Sequence, residues 1–185
     1  MADKTVENKT VSTEITTNRQ VKYLTSTALL AALITVFTAY IGHVPVGANG
    51  GYIHFGDSLI YLAAALLPAP YAFAAGAIGG GLADLLTAPM WAPATIIIKM
   101  LITIPFTSKG KKIVTLRNVI ATVIAFLISG TGYYIAEAIL FGTKTAFFMS
   151  LSGSLIQSGG SAVFFVIFGL MLDKLGFKSK FIGEN

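Results

Sequence analysis

Residues 76–101 read GAIGGGLADLLTAPMWAPATIIIKML, with Asp84 and Lys99 the only charged side chains among them. The remainder is Gly, Ala, Leu, Ile and a few breakers, so neither half has the polar face of a surface helix. Thr87–Pro89 divides the stretch into two apolar runs, about Tyr71–Leu86 and Met90–Phe106. Runs of this composition suit lipid better than water. Gly76, Gly79, Gly80 and Gly81 form no nucleotide-binding motif, and they let helices approach closely. An ionisable group inside such a run costs at least about 2.5–3.5 kcal/mol at mid-membrane, so Asp84 and Lys99 need a purpose.

The whole chain has the same character. Of its 185 residues 55% are hydrophobic and 11% charged, against roughly a quarter charged in an ordinary soluble domain. The mean hydropathy is +0.77. This composition excludes a disordered chain, a soluble two-domain enzyme and a nucleic-acid module. It has no cysteine, so thiolate metal sites, thiol nucleophiles and disulfides are excluded.

Four further apolar runs flank the central two: Val21–Gly42, Asp57–Leu67, Asn118–Phe141 and Phe147–Leu172. The expected fold is an all-α membrane protein, with six transmembrane helices in a single compact bundle and a long ordered loop between helices one and two. Residues 1–20 are expected to be a flexible cytoplasmic tail without the pattern of a signal peptide. Residues 21–175 are expected to form the transmembrane domain, and 176–185 a cytoplasmic tail. Pro68-Ala69-Pro70 stops the second run early; it and the third are short enough for one to be re-entrant or strongly tilted.

Charge sets the orientation. Arg19 and Lys22 precede span one; Lys109, Lys111, Lys112 and Arg117 lie between spans four and five; Lys174, Lys178 and Lys180 follow span six. Six spans put all three clusters on one side, which the positive-inside rule makes cytoplasmic. Both termini are then cytoplasmic, in a multi-pass protein of the cell membrane with lipid around it.

With that orientation the polar groups of the spans collect in the outer half: Asp57, Asp84, Lys99, Glu137, Ser154 and Gln157. The loop HVPVGANGGYIHFG, with His43, Asn49, Tyr52 and His54, lies on the same side. The inner half is an apolar plug. Each group has a second reading: Asp57 as a cap of helix two, Asp84 as the partner of Lys99, Trp91 as part of an interfacial aromatic belt. In the pocket reading Asp84, Lys99, Glu137 and Gln157 supply polar contacts. Trp91 and Tyr133, with Tyr134 beside it, supply a stacking wall for a flat ring. Tyr52 and His54 belong to a gating loop. Neither a metal site nor a cofactor is expected, since His43 and His54 on a Gly-rich loop do not make a ligand set.

Walker A, HExxH and GxSxG motifs are absent, as is the duplicated half of many secondary transporters. A small metal-dependent membrane enzyme using Asp57, Asp84 and Glu137 is a rival reading. Its carboxylates lie on separate helices, on the side away from nucleotide donors. A pore would need polar residues through the full depth. In span one, Ala28 and Ala32 sit a turn apart as a small-xxx-small face, open either to packing within the bundle or to a partner helix.

Three stretches carry a family likeness: Ala28-x-x-x-Ala32, GYIHFGDSLIYLAAALL and GAIGGGLADLLTAPMWAPATIIIKML. With the basic loop before span five, they make residues 20–175 resemble the substrate-binding S component of an energy-coupling factor (ECF) vitamin transporter. The resemblance implies a non-enzymatic six-helix protein that captures a vitamin from outside, beneath the loop after helix one. It implies partners too: a transmembrane coupling protein, docked on the Ala28/Ala32 face, and two ATPases; no nucleic acid is involved. The sequence looks closest to hydroxymethylpyrimidine or vitamin B6 members, with riboflavin as the alternative. Three carboxylates against one lysine favour a neutral or amine-bearing ring over a carboxylate such as biotin.

Overall fold

A computed structural model describes residues 2–41, 44–46 and 51–182, without the side chains of 2–15, 44–46, 51–53, 143–153 and 182. His43 and Asn49 therefore lie outside the described residues, and Tyr52 is described by its backbone alone.

A helix stands for each of the six apolar runs. They are α1 (Ala2–Ala39), α2 (Gly56–Leu66), α3 (Ala69–Thr87), α4 (Ala92–Leu101), α5 (Leu116–Phe141) and α6 (Thr143–Lys174), followed by a short α7 (Phe177–Ile182). A 3-10 turn, Pro89–Trp91, leads into α4. Strands β1 (Val44–Val46) and β2 (Gly51–Ile53) pair antiparallel between α1 and α2, Val44 opposite Ile53.

Two expectations change. Residues 1–20 were expected as a flexible tail, yet α1 runs unbroken from Ala2. No Gly or Pro interrupts residues 2–20, so the helix of the first span extends back through them. The apolar part begins at Thr16. The six runs also differ in reach. Thr16–Ala39, Leu116–Phe141 and Ser154–Lys174 are long and apolar enough to cross a bilayer, whereas Gly56–Leu66 and Pro89–Leu101 are shorter apolar helices. At 1.5 Å per residue α2 is only about 16 Å long, roughly half a hydrocarbon core.

Helix α2 is short because it is central. Ten of its residues, from Gly56 to Leu66, are buried, and it packs on α1, α3 and α6. A helix with no exposed stripe belongs in the middle of a bundle. Leu67 leaves it in extended conformation and Pro68 opens α3, whose first turn tolerates Pro70.

The glycines of α3 bring three helices together. A Cβ on Gly79 would lie 2.7 Å from the Ile34 Cβ of α1, and one on Gly80 would lie 2.7 Å from the Lys99 Cγ of α4. Only a residue without a Cβ permits both approaches. Thr35 of α1 also donates to the Gly79 carbonyl oxygen at 3.0 Å. At the end of α5, Gly142 takes φ 93°, in the region L side chains avoid, and turns the chain into α6.

The basic segments meet at one end of the bundle. The Lys22 ammonium lies 4.9 Å from the centre of the Phe181 ring in α7, and Lys178 donates to the Lys112 carbonyl oxygen at 3.1 Å. Asp173 accepts from the Ile113 N–H at 2.7 Å and the Val114 N–H at 2.9 Å. Asn118, fully buried, donates to the Thr107 and Ile113 carbonyl oxygens and accepts from the Thr107 N–H. Thr115 caps α5 by accepting from the Asn118 N–H at 3.2 Å. Burial pulls the Lys178 ammonium below the usual lysine range, and Asp173 partly opposes this.

Candidate substrate site

At the opposite end, spacing along single helices selects the side chains. Trp91, Thr95 and Lys99 recur every four residues and share one face of the turn and α4. Tyr133, Glu137 and Phe141 do the same on α5, the helix that packs against α4. Asp57 opens α2, and Gln157 comes from α6.

Lys99 and Asp57 form the centre. Their relative exposures are 1% and 0%, and the Lys99 Nζ lies 2.6 Å from the Asp57 Oδ1. The same ammonium sits 5.3 Å from the centre of the Tyr133 ring, within cation–π range. The other Asp57 oxygen, Oδ2, accepts from the Gln157 Nε2 at 3.0 Å. That Nε2 is also 3.2 Å from the His54 Nε2, while the Gly56 N–H donates to the His54 Nδ1 at 2.9 Å. A neutral imidazole accepts at one nitrogen only, so Gly56 and Gln157 compete for His54.

This geometry bears on the readings of Asp57 and Asp84. The Asp57 carboxylate goes to Lys99 and Gln157. Asp84 was read as the partner of Lys99. It is buried within electrostatic reach of Lys99 and Tyr133 as a second negative neighbour. Asp57, read as a helix cap as readily as a pocket residue, thus pairs with Lys99 at the centre of the cluster.

Three rings, from α5 and the turn before α4, lie together. Trp91 meets Tyr133 at 6.1 Å between ring centres and 64° between planes, and Phe141 at 5.9 Å. The Tyr133 hydroxyl is 2.9 Å from the Thr95 Oγ1, which fixes the ring in place. Thr95 was not anticipated, although its position midway between Trp91 and Lys99 was a usable signal. Glu137 is buried one turn beyond Tyr133. Tyr134, half-buried like Tyr133, lies one position on and so points elsewhere around α5.

Beneath the ion pair three rings close the core toward the basic end. Tyr61, one turn after Asp57, stacks on Phe106 at 5.0 Å, and both meet Phe165 edge-on, at 6.0 and 5.7 Å. Their polar counterparts lie above. The arrangement is a buried ion pair with an amide and an imidazole at its side, an aromatic wall above it and an apolar floor below. Among the described residues no three His, Asp or Glu side chains converge as a metal ion would require.

Residues 18–174 match the family model of the ECF-type riboflavin transporter, S component. The chain belongs to this family. It is a multi-pass membrane protein of a transporter, and the family is not a class of enzymes. It is also similar to an uncharacterised protein in the gap 3′ region of Pyrococcus woesei, at 32% identity over 111 residues, covering 59% of this chain and 74% of that one. The family match spans both ends of the bundle, from the last polar turn of α1 to the close of α6.

Ala28 and Ala32 lie on the outside of α1. Thr27, Ala31, Ile34 and Thr38 are the buried side of that helix, whereas Ala28 and Ala32 are exposed beside Leu29, Leu33 and Val36. The contact of α1 with α3 therefore leaves this face uncovered.

Proposed function

We propose that this protein is the substrate-capture subunit of an ECF-type importer that binds a small, flat, ring-containing vitamin at the Lys99–Asp57 end. The six apolar helices lie in the membrane as one bundle, with the short α2 and α4 packed inside it, both termini and the basic end face the cytoplasm, and residues 21–175 form the binding domain. The observation that carries this reading is the buried Lys99–Asp57 pair set under the Trp91–Tyr133 wall, at the end of the bundle opposite the basic clusters. An ion pair in a hydrophobic bundle is costly, and a ligand site is the economical reason for placing one under aromatic rings.

The contact set is Asp84, Trp91, Lys99, Tyr133, Glu137 and Gln157, joined by Asp57 and Thr95. Asn49, Tyr52 and His54 belong to the segment that gates entry. Three carboxylates, Asp57, Asp84 and Glu137, against one lysine, Lys99, tilt the site negative. That favours an amine-bearing pyridine or pyrimidine, such as pyridoxamine, pyridoxine or hydroxymethylpyrimidine. Riboflavin is the second reading, favoured by the family to which the chain belongs.

S components work with a transmembrane coupling protein and two ATPases, and the exposed Ala28/Ala32 face of α1 is the proposed docking surface for the first of these. Mass spectrometry of the small molecule released from purified protein tests the substrate. A pyridine or pyrimidine vitamin is expected, a flavin turns the assignment to the second reading, and divalent-ion-dependent turnover with no vitamin released sinks both. Replacing Ala28 and Ala32 by Leu is expected to leave binding intact and stop uptake; normal uptake refutes the docking face.

A further inference from the structure

We propose that the indole N–H of Trp91 donates a hydrogen bond to the bound substrate, reading a carbonyl oxygen or pyridine-type nitrogen on the edge of its ring. This rests on the vitamin-binding reading above and adds a chemical requirement to it: the substrate must present an acceptor on the plane of the ring that stacks.

The tryptophan is 8% exposed, and its Nε1 is buried with no hydrogen-bond partner among the described residues. Indole nitrogen is a donor only, and a buried donor without an acceptor is uncommon in a folded protein. A residue of the interfacial belt would hold this N–H in the headgroup layer; here the protein covers it. The ring is not free to turn toward solvent, because Tyr133 and Phe141 hold it on two sides at 6.1 and 5.9 Å. Tyr133 is also the ring that faces the Lys99 ammonium and bonds Thr95. The orphan donor thus shares its aromatic neighbour with the ion pair, on the face of α4 that carries Thr95 and Lys99.

Trp91 is the single tryptophan of the chain, so the indole N–H marker band in ultraviolet resonance Raman spectra belongs to it alone. The test uses full-length protein in detergent, without ligand and saturated with riboflavin, pyridoxamine or hydroxymethylpyrimidine, whichever binds by calorimetry. The band is expected to move to its hydrogen-bonded position on binding. Trp91→Phe, which keeps an aromatic ring and removes the N–H, is expected to weaken binding about tenfold. A band already hydrogen-bonded without ligand, or unmoved by saturation, overturns the inference while leaving the vitamin site standing. Wild-type affinity in Trp91→Phe does the same. The spectrum of the wild-type protein needs no variant to fold. Failure of the wild-type protein to bind any of the three vitamins is a different result; it removes the site reading and the inference with it.

Discussion

The two ends of the bundle solve the problem of buried polarity in opposite ways. At the basic end, side chains serve the backbone. Asp173 accepts two loop N–H groups, Asn118 bridges Thr107 and Ile113, and Lys178 covers the Lys112 carbonyl oxygen. The result is a tied loop whose charges, Lys109, Lys111 and Arg117, remain exposed. At the other end, side chains serve one another. Lys99, Asp57, Gln157 and His54 converge from α4, α2, α6 and the segment before α2. A loop tie needs only local chain. A convergence of four segments needs the whole bundle, and it places donors and acceptors where a guest can exchange with them.

The largest effect should come from breaking that convergence. Lys99→Met leaves the Asp57 carboxylate buried without its cation, and is expected to cost about 3–5 kcal/mol in detergent unfolding and to abolish vitamin binding. Adding Asp57→Leu should return much of the stability without returning the binding. A double variant that binds normally would separate the ion pair from the site.

Next in size is a test of how the pair is housed. Gly80→Leu puts a branched side chain where a Cβ alone would lie 2.7 Å from the Lys99 Cγ and 3.2 Å from the Thr95 Cγ2. Overpacking of this kind costs about 1–3 kcal/mol, and here it pushes α3 off α4. Affinity is expected to fall with stability, measured by calorimetry and thermal melting. Unchanged affinity would mean that the α3–α4 approach does not position Lys99.

The basic end supplies the contrast. Asp173→Ala removes an acceptor of two N–H bonds, worth about 1.5–3 kcal/mol when the acceptor is charged. It should lower the melting temperature and leave the affinity of the intact protein for its vitamin unchanged. A loss of affinity would show that the two ends are coupled, and the contrast between them would fail.

How far the sequence announces this arrangement depends on how local each feature is. The apolar runs, the break at Pro68 and the clustering of basic residues are local, and all are visible in composition. So is the close packing at Gly79 and Gly80, because a run of glycines in an apolar helix has few other uses. The four-residue ladders of Trp91–Thr95–Lys99 and Tyr133–Glu137–Phe141 are also present in the sequence; Thr95 and Phe141 escape notice, since a threonine or phenylalanine in an apolar run reads as filler. The partner of Lys99 is another matter. Asp57 and Asp84 are both carboxylates near helix ends, and nothing local ranks them. The packing of α2 against α6 and α3 against α4 brings Asp57, forty-two positions away, into contact. The helical start at Ala2 was equally hidden: Thr and Asn are poor helix formers alone, and the apolar span that continues from them supplies the stable segment.

The smallest expected effect tests whether the aromatic wall is held or only present. The Tyr133 hydroxyl is 2.9 Å from the Thr95 Oγ1, joining α5 to α4 above the ion pair. Tyr133→Phe keeps the ring, its edge contact with Trp91 and its face toward Lys99, and removes only that bond. A neutral hydrogen bond of this kind contributes about 0.5–1.5 kcal/mol, so the melting temperature should fall by a few degrees at most. Removing both partners by adding Thr95→Val should cost little more, because neither polar atom is then left buried and unmatched. Binding is the informative readout. If the hydroxyl only fixes the ring, the single and double variants bind the vitamin a few-fold more weakly and alike. A much weaker single variant, with affinity not shared by Thr95→Val alone, would instead make the Tyr133 hydroxyl a direct contact of the substrate.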